Sequence, residues 1–468
     1  MADFDFDLIV IGGGSGGVRA ARMAASYGAR VALIEAGRMG GTCVNVGCVP
    51  KKLLAYGGHY ASDLEDMTAY GWRVEGPARF DWPTLKVAKD QEIARLNGIY
   101  DQLLERAGVE VIAGRGAVVG THRVSVSVSG EPVGREPVGR ELTSRYLLIA
   151  TGGRPWRPEP GVLPGIEHTW TSDDIFALDA LPDRIVVVGG GYIGCEMASI
   201  LHSFGVRVHL IHRGETLLRG FDADLGHELG NELRKRGVHL HLLCTPQRIQ
   251  RVDGHLRIEI EAGDTIEADA VLMATGRVPN TAGLGLQAAG VELSERGAVL
   301  VDDRFRSTCP SIFAVGDVID RMQLTPVALA EGMRVARNLF LGEDEALDYR
   351  FVPTAVFTHP GVGTVGWTEA DAARHFDKLR LYKSSFRPMR HTLTGRNART
   401  SMKIIVDDAT DQVVGLHVVG EDAAEIVQGF AVALRCGVTK AQLDTTIGIH
   451  PSAAEELVTM RTEWTPAS

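Results

Sequence analysis

A glycine-rich turn between an apolar strand and a small-residue helix occurs twice in this chain, and that repetition limits the fold more than any other feature. Asp7-Leu8-Ile9-Val10-Ile11 runs into Gly12-Gly13-Gly14-Ser15-Gly16-Gly17. A helix is expected from about Val18 to Tyr27, then a second strand, Val31-Ala32-Leu33-Ile34, ending at Glu35. Strand, glycine turn, helix, strand and acid make up the βαβ unit that holds a dinucleotide. Its glycines let backbone amides approach a pyrophosphate at the helix N-terminus, and its acid hydrogen-bonds a ribose. The whole unit carries an argument that a lone glycine fingerprint would not.

The second copy begins with Arg184-Ile185-Val186-Val187-Val188 and continues as Gly189-Gly190-Gly191-Tyr192-Ile193-Gly194, with a second strand at Val206-Arg207-Val208-His209-Leu210-Ile211. Gly12, Gly14, Gly17 and Gly28 superpose on Gly189, Gly191, Gly194 and Gly205, and Glu35 then falls on His212. The ribose-binding acid is therefore missing from the second copy; Arg213 follows at once and Arg219 comes shortly after. Arginine pairs bidentately with a 2′-phosphate that an acid would repel. The first copy suits the adenosine half of FAD, and the second suits NADPH over NADH. Gly194 points the other way, since a third glycine is commoner in NAD-type fingerprints. The alternative reading of Arg213 and Arg219 is that they are solvated surface charges.

Between and after these units lie two near-repeats, Tyr146-Leu147-Leu148-Ile149-Ala150-Thr151-Gly152-Gly153 and Ala270-Val271-Leu272-Met273-Ala274-Thr275-Gly276-Arg277. Each reads as an apolar strand ending a nucleotide domain at Thr-Gly. Ser311-Ile312-Phe313-Ala314-Val315-Gly316-Asp317 is another such strand, ending in an acid. The pentad Glu-Pro-Val-Gly-Arg, repeated between Glu131 and Arg140, reads as a surface hairpin tip without chemistry.

The cysteines say what such nucleotides would serve. Cys43 and Cys48 stand in Gly40-Gly41-Thr42-Cys43-Val44-Asn45-Val46-Gly47-Cys48-Val49-Pro50-Lys51-Lys52, in a chain with six cysteines in all. The pair suggests a dithiol that opens and closes during turnover. A structural zinc site wants four ligands, and Cys195, Cys244, Cys309 and Cys436 are single and scattered. A static disulfide would be unusual in a chain without an export signal, and the acidic start Met1-Ala2-Asp3-Phe4-Asp5-Phe6-Asp7 does not resemble one. No apolar run approaches the roughly 20 residues of a membrane span. A net charge of −10 argues against nucleic acid as a partner. The chain is expected to be soluble and cytoplasmic, and 468 residues suffice for about three domains.

Together these motifs resemble the pyridine nucleotide–disulfide oxidoreductases from Asp7 through Thr459, and within them the branch that reduces glutathione disulfide. The resemblance implies an α/β fold: two Rossmann-like dinucleotide-binding domains, for FAD and NADPH, plus an α+β C-terminal dimerisation domain. It divides the chain into an FAD-binding domain (1–153), an NADPH-binding domain (154–279), a central domain completing the FAD site (280–349) and a dimer-interface domain (350–468). Carried over by position, Gly12, Gly14, Ser15, Gly16, Gly17, Glu35, Thr42, Lys51, Gly116, Thr151, Gly152, Asp317 and Thr325 match the FAD site, beside Cys43. Gly189, Gly190, Gly191, Ile193, Gly194, Glu196, Arg213, Arg219 and Gly276 match positions around NADPH. Lys51 and Glu196 match an ion pair beside the flavin, and Tyr192 matches a gate over the nicotinamide pocket. Metal sites are not implied.

His450-Pro451-Ser452-Ala453-Ala454-Glu455-Glu456 matches the catalytic histidine and its orienting glutamate. Proline and serine suit a helix start, and Glu455, about one turn in, can hold the imidazole tautomer. In the family that histidine serves the dithiol of the other subunit, so a homodimer with a shared active site is implied. Ser15, Arg19, Arg22, Tyr100 and His450 are the expected substrate contacts, Arg22 pairing with a carboxylate and Arg19 lying one turn earlier on the same helix face. Met333 stands where some relatives hold a further carboxylate-binding arginine, which leaves room for a modified form such as an amidated glutathione. Another small disulfide such as trypanothione is a separate alternative, though Arg19 adds positive charge where a trypanothione reductase would have an acid. Dihydrolipoamide dehydrogenases typically have an acid at the position of His212. Thioredoxin and mercuric reductases carry a cysteine pair near the C-terminus, where this chain has only Cys436. By the resemblance, electrons pass from NADPH through FAD to the Cys43–Cys48 disulfide. Cys48 faces the flavin, Cys43 attacks the substrate disulfide, and His450 protonates the departing thiolate. A non-catalytic flavoprotein scaffold is the alternative from another class, opposed by the intact cysteines and His-Glu dyad.

Overall fold

The computed structural model describes residues 4–76, 78–127, 140–261 and 263–465. It divides into two compact units, one made of Met1–Leu53, Thr84–Trp156 and Arg277–Asp348, the other of Leu54–Pro83, Arg157–Gly276 and Tyr349–Ser468.

In the first unit the strand Phe6–Ile11 lies between Val31–Glu35 and Arg140–Ile149, parallel to both. Glu110–Ala113 extends the parallel sheet beyond Val31–Glu35, and Ile312–Ala314 pairs with Arg140–Ile149. Leu8, Ile9 and Val10 are inaccessible to solvent, as expected of a parallel strand covered on both faces. The near end of Arg140–Ile149 turns to antiparallel pairing with Arg123–Ser127, which pairs with Arg115–Gly120. The repeated pentad lies outside the described residues apart from Arg140. The first helix spans Ser15–Ser26 and so starts earlier than the sequence suggested. Gly16 and Gly17 belong to its first turn: a Cβ on Gly17 would stand 2.0 Å from the Gly12 carbonyl oxygen, so only glycine lets the helix begin that close to the strand.

The second unit repeats this arrangement. Its parallel sheet runs in the order His239–Leu242, Arg207–His212, Arg184–Val188, Ala270–Met273, with the helix Tyr192–Ser203 rising from the glycine turn. An antiparallel meander, Pro246–Val252, His255–Ile260 and Thr265–Ala268, closes one face. Val186, Val188, Ile211, Ile249, Ile258 and Met273 form their common core. The remaining five strands are antiparallel, in the order Thr354–Val356, Gly361–Gly366, Val413–Gly420, Thr400–Asp407, Leu379–Phe386. Every residue of Val413–Gly420 is buried, because the helix Ala423–Arg435 covers one face and Trp367, Ala372 and Phe376 pack on the other. Among the described residues no helix is long and apolar enough to cross a membrane.

One buried charge ties the elements of this second unit together. Lys403, from the strand Thr400–Asp407, donates to both oxygens of Asp222 at 2.8 and 3.0 Å and reaches Asp224 and Glu369 at 2.8 and 2.6 Å. Asp222 also caps the helix Ala223–Arg236 through the amide of Asp224 and accepts the amide of Glu369. Removing one partner of such a pair leaves an uncompensated buried charge. Lys403→Met is expected to cost about 3–5 kcal/mol and to lower the urea midpoint clearly, with part of the loss recovered when Asp222→Asn is added. An unchanged midpoint in the single variant would show that the pair holds nothing together.

Candidate active site

The two cysteines meet because a helix breaks between them. Cys43 lies in the short helix Gly41–Val46, and Cys48 opens the long helix Cys48–Asp66. The break is at Gly47, where a Cβ would stand 2.7 Å from the carbonyl oxygen of Thr42. Asn45 fixes the first helix by donating to the carbonyls of Met39 and Gly41 at 3.1 and 2.9 Å, and Asn97 donates to Met39 at 2.7 Å and to the Asn45 amide oxygen at 3.0 Å. Sequence reasoning missed both asparagines. Asn45 lies inside the dithiol motif, but nothing in the spacing connects it with Asn97.

Both thiols are free, and each acts on the other's proton affinity. The neighbouring Cys43 thiol lowers the Cys48 thiol to about 6 against the opposing effect of burial, with help from the Thr325 hydroxyl at 3.5 Å and the charge of Lys51. A position at a helix N-terminus favours the same thiolate. Cys43 is pushed upward by Cys48 and by burial, so the pair holds one proton on Cys43 and releases the other from Cys48. Tyr100, in the helix Trp82–Arg106, is close enough to feel both thiols together with Arg19 and Arg22. Its phenol is raised first by burial and then by Cys43, while the two arginines oppose the rise. Arg22 has a buried Nε with no hydrogen-bond partner, and neither arginine has an ion pair among the described residues. Arg19, Arg22, Cys43 and Cys48 therefore all lie within electrostatic reach of Tyr100.

Around the first glycine turn the residues fit an anionic dinucleotide. The helix Ser15–Ser26 has no side-chain cap and no acid in its first turn, whereas helices opening after Thr171, Asp222, Thr368 and Thr439 are capped by side chains. Its first amides are thus left for a ligand. Glu35 receives the amides of Gly13 and Gly37, each at 2.6 Å. Gly116 lies in the strand Arg115–Gly120 against Ile11, and a side chain at Gly152 would meet only open space. Thr151 donates to the carbonyl of Asn280 at 2.8 Å. Asp317 opens toward the same sheet end, its carboxyl raised by burial despite Arg277. Arg277, buried and donating to the Gly153 carbonyl at 2.6 Å and to Thr42 at 3.4 Å, was overlooked in the sequence; its signal was an arginine directly after the second Thr-Gly.

The second glycine turn, in the other unit, is equally uncapped at Gly191 and free of acid in its first turn. Gly276 and Gly191 face open space, and Ile193 and Gly194 lie in the first helical turn. A Cβ at Gly194 would come within 1.8 Å of the Gly189 carbonyl oxygen, the same approach as Gly17 to Gly12. The third glycine therefore meets a packing requirement. Arg213 and Arg219 are exposed. Tyr192 begins the helix with 38% of its surface exposed, and Glu196 is buried, accepting the Phe357 amide at 2.8 Å. Lys51 belongs to the first unit and Glu196 to the second.

His450 and Glu455 meet as the spacing suggested. The imidazole Nδ1 lies 3.0 and 3.1 Å from the two carboxylate oxygens, and Ser452 caps the short helix Ala453–Glu455. His450 is otherwise exposed. Of the remaining cysteines, Cys195, Cys244 and Cys309 are buried, whereas Cys436 is exposed at a helix end.

Residues 6–332 match the family model described as pyridine nucleotide-disulphide oxidoreductase, and residues 352–461 match that family's dimerisation domain. The chain belongs to the pyridine nucleotide-disulphide oxidoreductases. It is 46% identical to a glutathione reductase of Burkholderia cepacia over 98% of this chain and 99% of that one. A glutathione reductase of Nostoc sp. is 44% identical over 98% of this chain and its own full length, and the chloroplastic/mitochondrial glutathione reductase of Pisum sativum is 42% identical over 98% of this chain and 83% of its own.

With the pair reduced, alkylation of Cys48 by iodoacetamide should rise through a midpoint near pH 6. Cys43→Ala, which removes the largest lowering contribution, should move the midpoint upward, as read by mass spectrometry of the labelled peptide. A wild-type midpoint in the ordinary thiol range would contradict the interacting pair.

Proposed function

We propose that this chain is an NADPH-dependent flavoprotein disulfide reductase whose substrate is glutathione disulfide. The observation that carries the reading is the Cys43–Cys48 pair with its lowered Cys48 thiol, near a Tyr100 that also feels Arg19 and Arg22, which have no carboxylate partner among the described residues. The names of the similar proteins point the same way. FAD, when bound, takes a hydride equivalent from reduced nicotinamide and delivers the electron pair to the cysteine disulfide. Its holding residues are Gly12, Gly14, Ser15, Gly16, Gly17, Glu35, Thr42, Lys51, Gly116, Thr151, Gly152, Asp317 and Thr325, within segments 1–153 and 280–349. NADPH is held by segment 154–279 through Gly189, Gly190, Gly191, Ile193, Gly194, Glu196, Arg213, Arg219 and Gly276, with Tyr192 gating the pocket.

The chain's own residues then perform thiol exchange. Cys43, relieved of its proton by His450 of the partner subunit, attacks one sulfur of the substrate disulfide, forming a mixed disulfide and expelling one thiolate. His450 of the partner subunit, oriented by its own glutamate, gives that thiolate a proton. Cys48 attacks Cys43 Sγ, restoring the internal disulfide and releasing the second thiol. The site is complete only in a homodimer joined through segment 350–468. Arg19, Arg22, Ser15 and Tyr100 bind a carboxylate-bearing substrate, which favours glutathione disulfide over its amide or the polyamine conjugate trypanothione. A cytoplasmic site of action fits the low cysteine count.

Cys43→Ser and Cys48→Ser should each abolish disulfide reduction while the protein stays yellow; full reductase activity in either variant would refute the exchange. Neutral replacement of both Arg213 and Arg219 should raise KM for NADPH by roughly 10–100-fold and leave KM for NADH nearly unchanged. A steady-state panel of glutathione disulfide, its amide, trypanothione and lipoamide should rank the first highest.

A further inference from the structure

The helix Gly41–Val46 that carries Cys43 is too short to hold its own position. It has six residues, less than two turns, and no side-chain cap. A helix of that length is marginal in water and takes its place from tertiary contacts. Two of these seat it on the first glycine turn. The Gly40 amide donates to the Gly13 carbonyl at 2.9 Å, and a Cβ on Gly41 would stand 2.7 Å from Gly14 Cα. Both act at the start of the helix and leave the rest to side chains.

Two asparagines supply that remainder. Asn45 lies between the cysteines, and its Nδ2 donates back to the carbonyls of Arg38, Met39 and Gly41 at 3.2, 3.1 and 2.9 Å. Its Oδ1 is left as an acceptor. Asn97 fills it: one Nδ2 hydrogen goes to Asn45 Oδ1 at 3.0 Å and the other to the Met39 carbonyl at 2.7 Å. The two amides form one directed network in which every donor is aimed at an acceptor of the dithiol segment. Asn97 belongs to the long helix Trp82–Arg106, and Tyr100 follows it on the same helix face. One helix therefore anchors the segment carrying Cys43 and brings a phenol within electrostatic reach of both sulfurs.

We infer that Asn45 and Asn97 are positioning residues for thiol exchange: they hold the Cys43 helix where its sulfur can reach Cys48 in one half of the exchange and an external disulfide in the other. Their effect runs through Cys43, the largest influence lowering the Cys48 thiol. A looser helix lets Cys43 drift, and the Cys48 thiolate loses that support. This rests on the reading of the pair as an exchanging dithiol.

The test uses the FAD-loaded enzyme, reduced, as wild type, Asn97→Ala, Asn97→Asp, Asn45→Ala and the double alanine variant. Cys48 alkylation is followed against pH by mass spectrometry, with steady-state turnover of glutathione disulfide measured beside it. Each single variant should raise the Cys48 midpoint by about one pH unit and lower kcat roughly fivefold, with KM for NADPH unchanged. Asn97→Asp keeps the shape of the side chain but sets a carboxylate against two acceptor oxygens, so its shift should exceed that of Asn97→Ala. The double variant should fall within about twofold of the more impaired single variant, because the two amides act as one network. A midpoint that stays near 6 in both Asn97 variants, even with a lowered Tm, overturns the inference and reduces the pair to a structural role. Independent, multiplying losses in the double variant overturn it as well. If Asn97→Asp does not fold, Asn97→Ala decides by the same midpoint. The midpoint needs no substrate, so a wild type that fails to reduce glutathione disulfide removes the proposed function while the inference is still tested.

Discussion

Backbone against backbone, with no side chain between, is the contact on which this protein depends. Gly17 rests on the carbonyl of Gly12 and Gly194 on that of Gly189, each closer than any Cβ would permit. Gly12 and Gly189, both at positive φ, approach the carbonyls of Ala150 and Ala274 in the same way. These approaches pull the helix start down onto the sheet end, leave its first amides uncapped, and aim them at one crevice. They also explain why Ala-Thr-Gly occurs twice: each such segment supplies the carbonyl against which the turn packs.

The thiol pair depends on a different backbone event. Cysteines at the ends of a Cys-x-x-x-x-Cys segment in one continuous helix would be more than one turn apart. The break at Gly47 places Cys48 at the N-terminus of a new helix and Cys43 beside it. Proton sharing then divides the two sulfurs into a thiol and a thiolate. The asymmetry comes from geometry, because the two residues are chemically identical. Thr325, brought by a distant segment, and Lys51, one turn along the new helix, add to it.

Much of this was legible in the chain. The glycine spacing, the acid at Glu35, its replacement by His212 and the His450-Glu455 interval are local patterns, and local patterns map directly onto turns and helix starts. Less legible were contacts that join residues far apart in sequence. Asn97 holding Asn45, Arg277 on the Gly153 carbonyl, and Glu331 accepting the Gly316 amide at 2.6 Å carry no periodic or spacing signal. The early start of the first helix was misjudged because glycine is a poor helix former by propensity, and close packing overrides that preference here.

From the amino-acid order alone came the two dinucleotide units, the reactive cysteine pair and the candidate acid–base dyad, since each is written in residues close along the chain. Only the folded molecule decided which sulfur holds the proton, that Arg19, Arg22 and the two cysteines lie within reach of Tyr100, and that His212 accepts a turn amide. Those outcomes depend on distances and burial between segments that the sequence separates, and electrostatics acts through space, not along the chain.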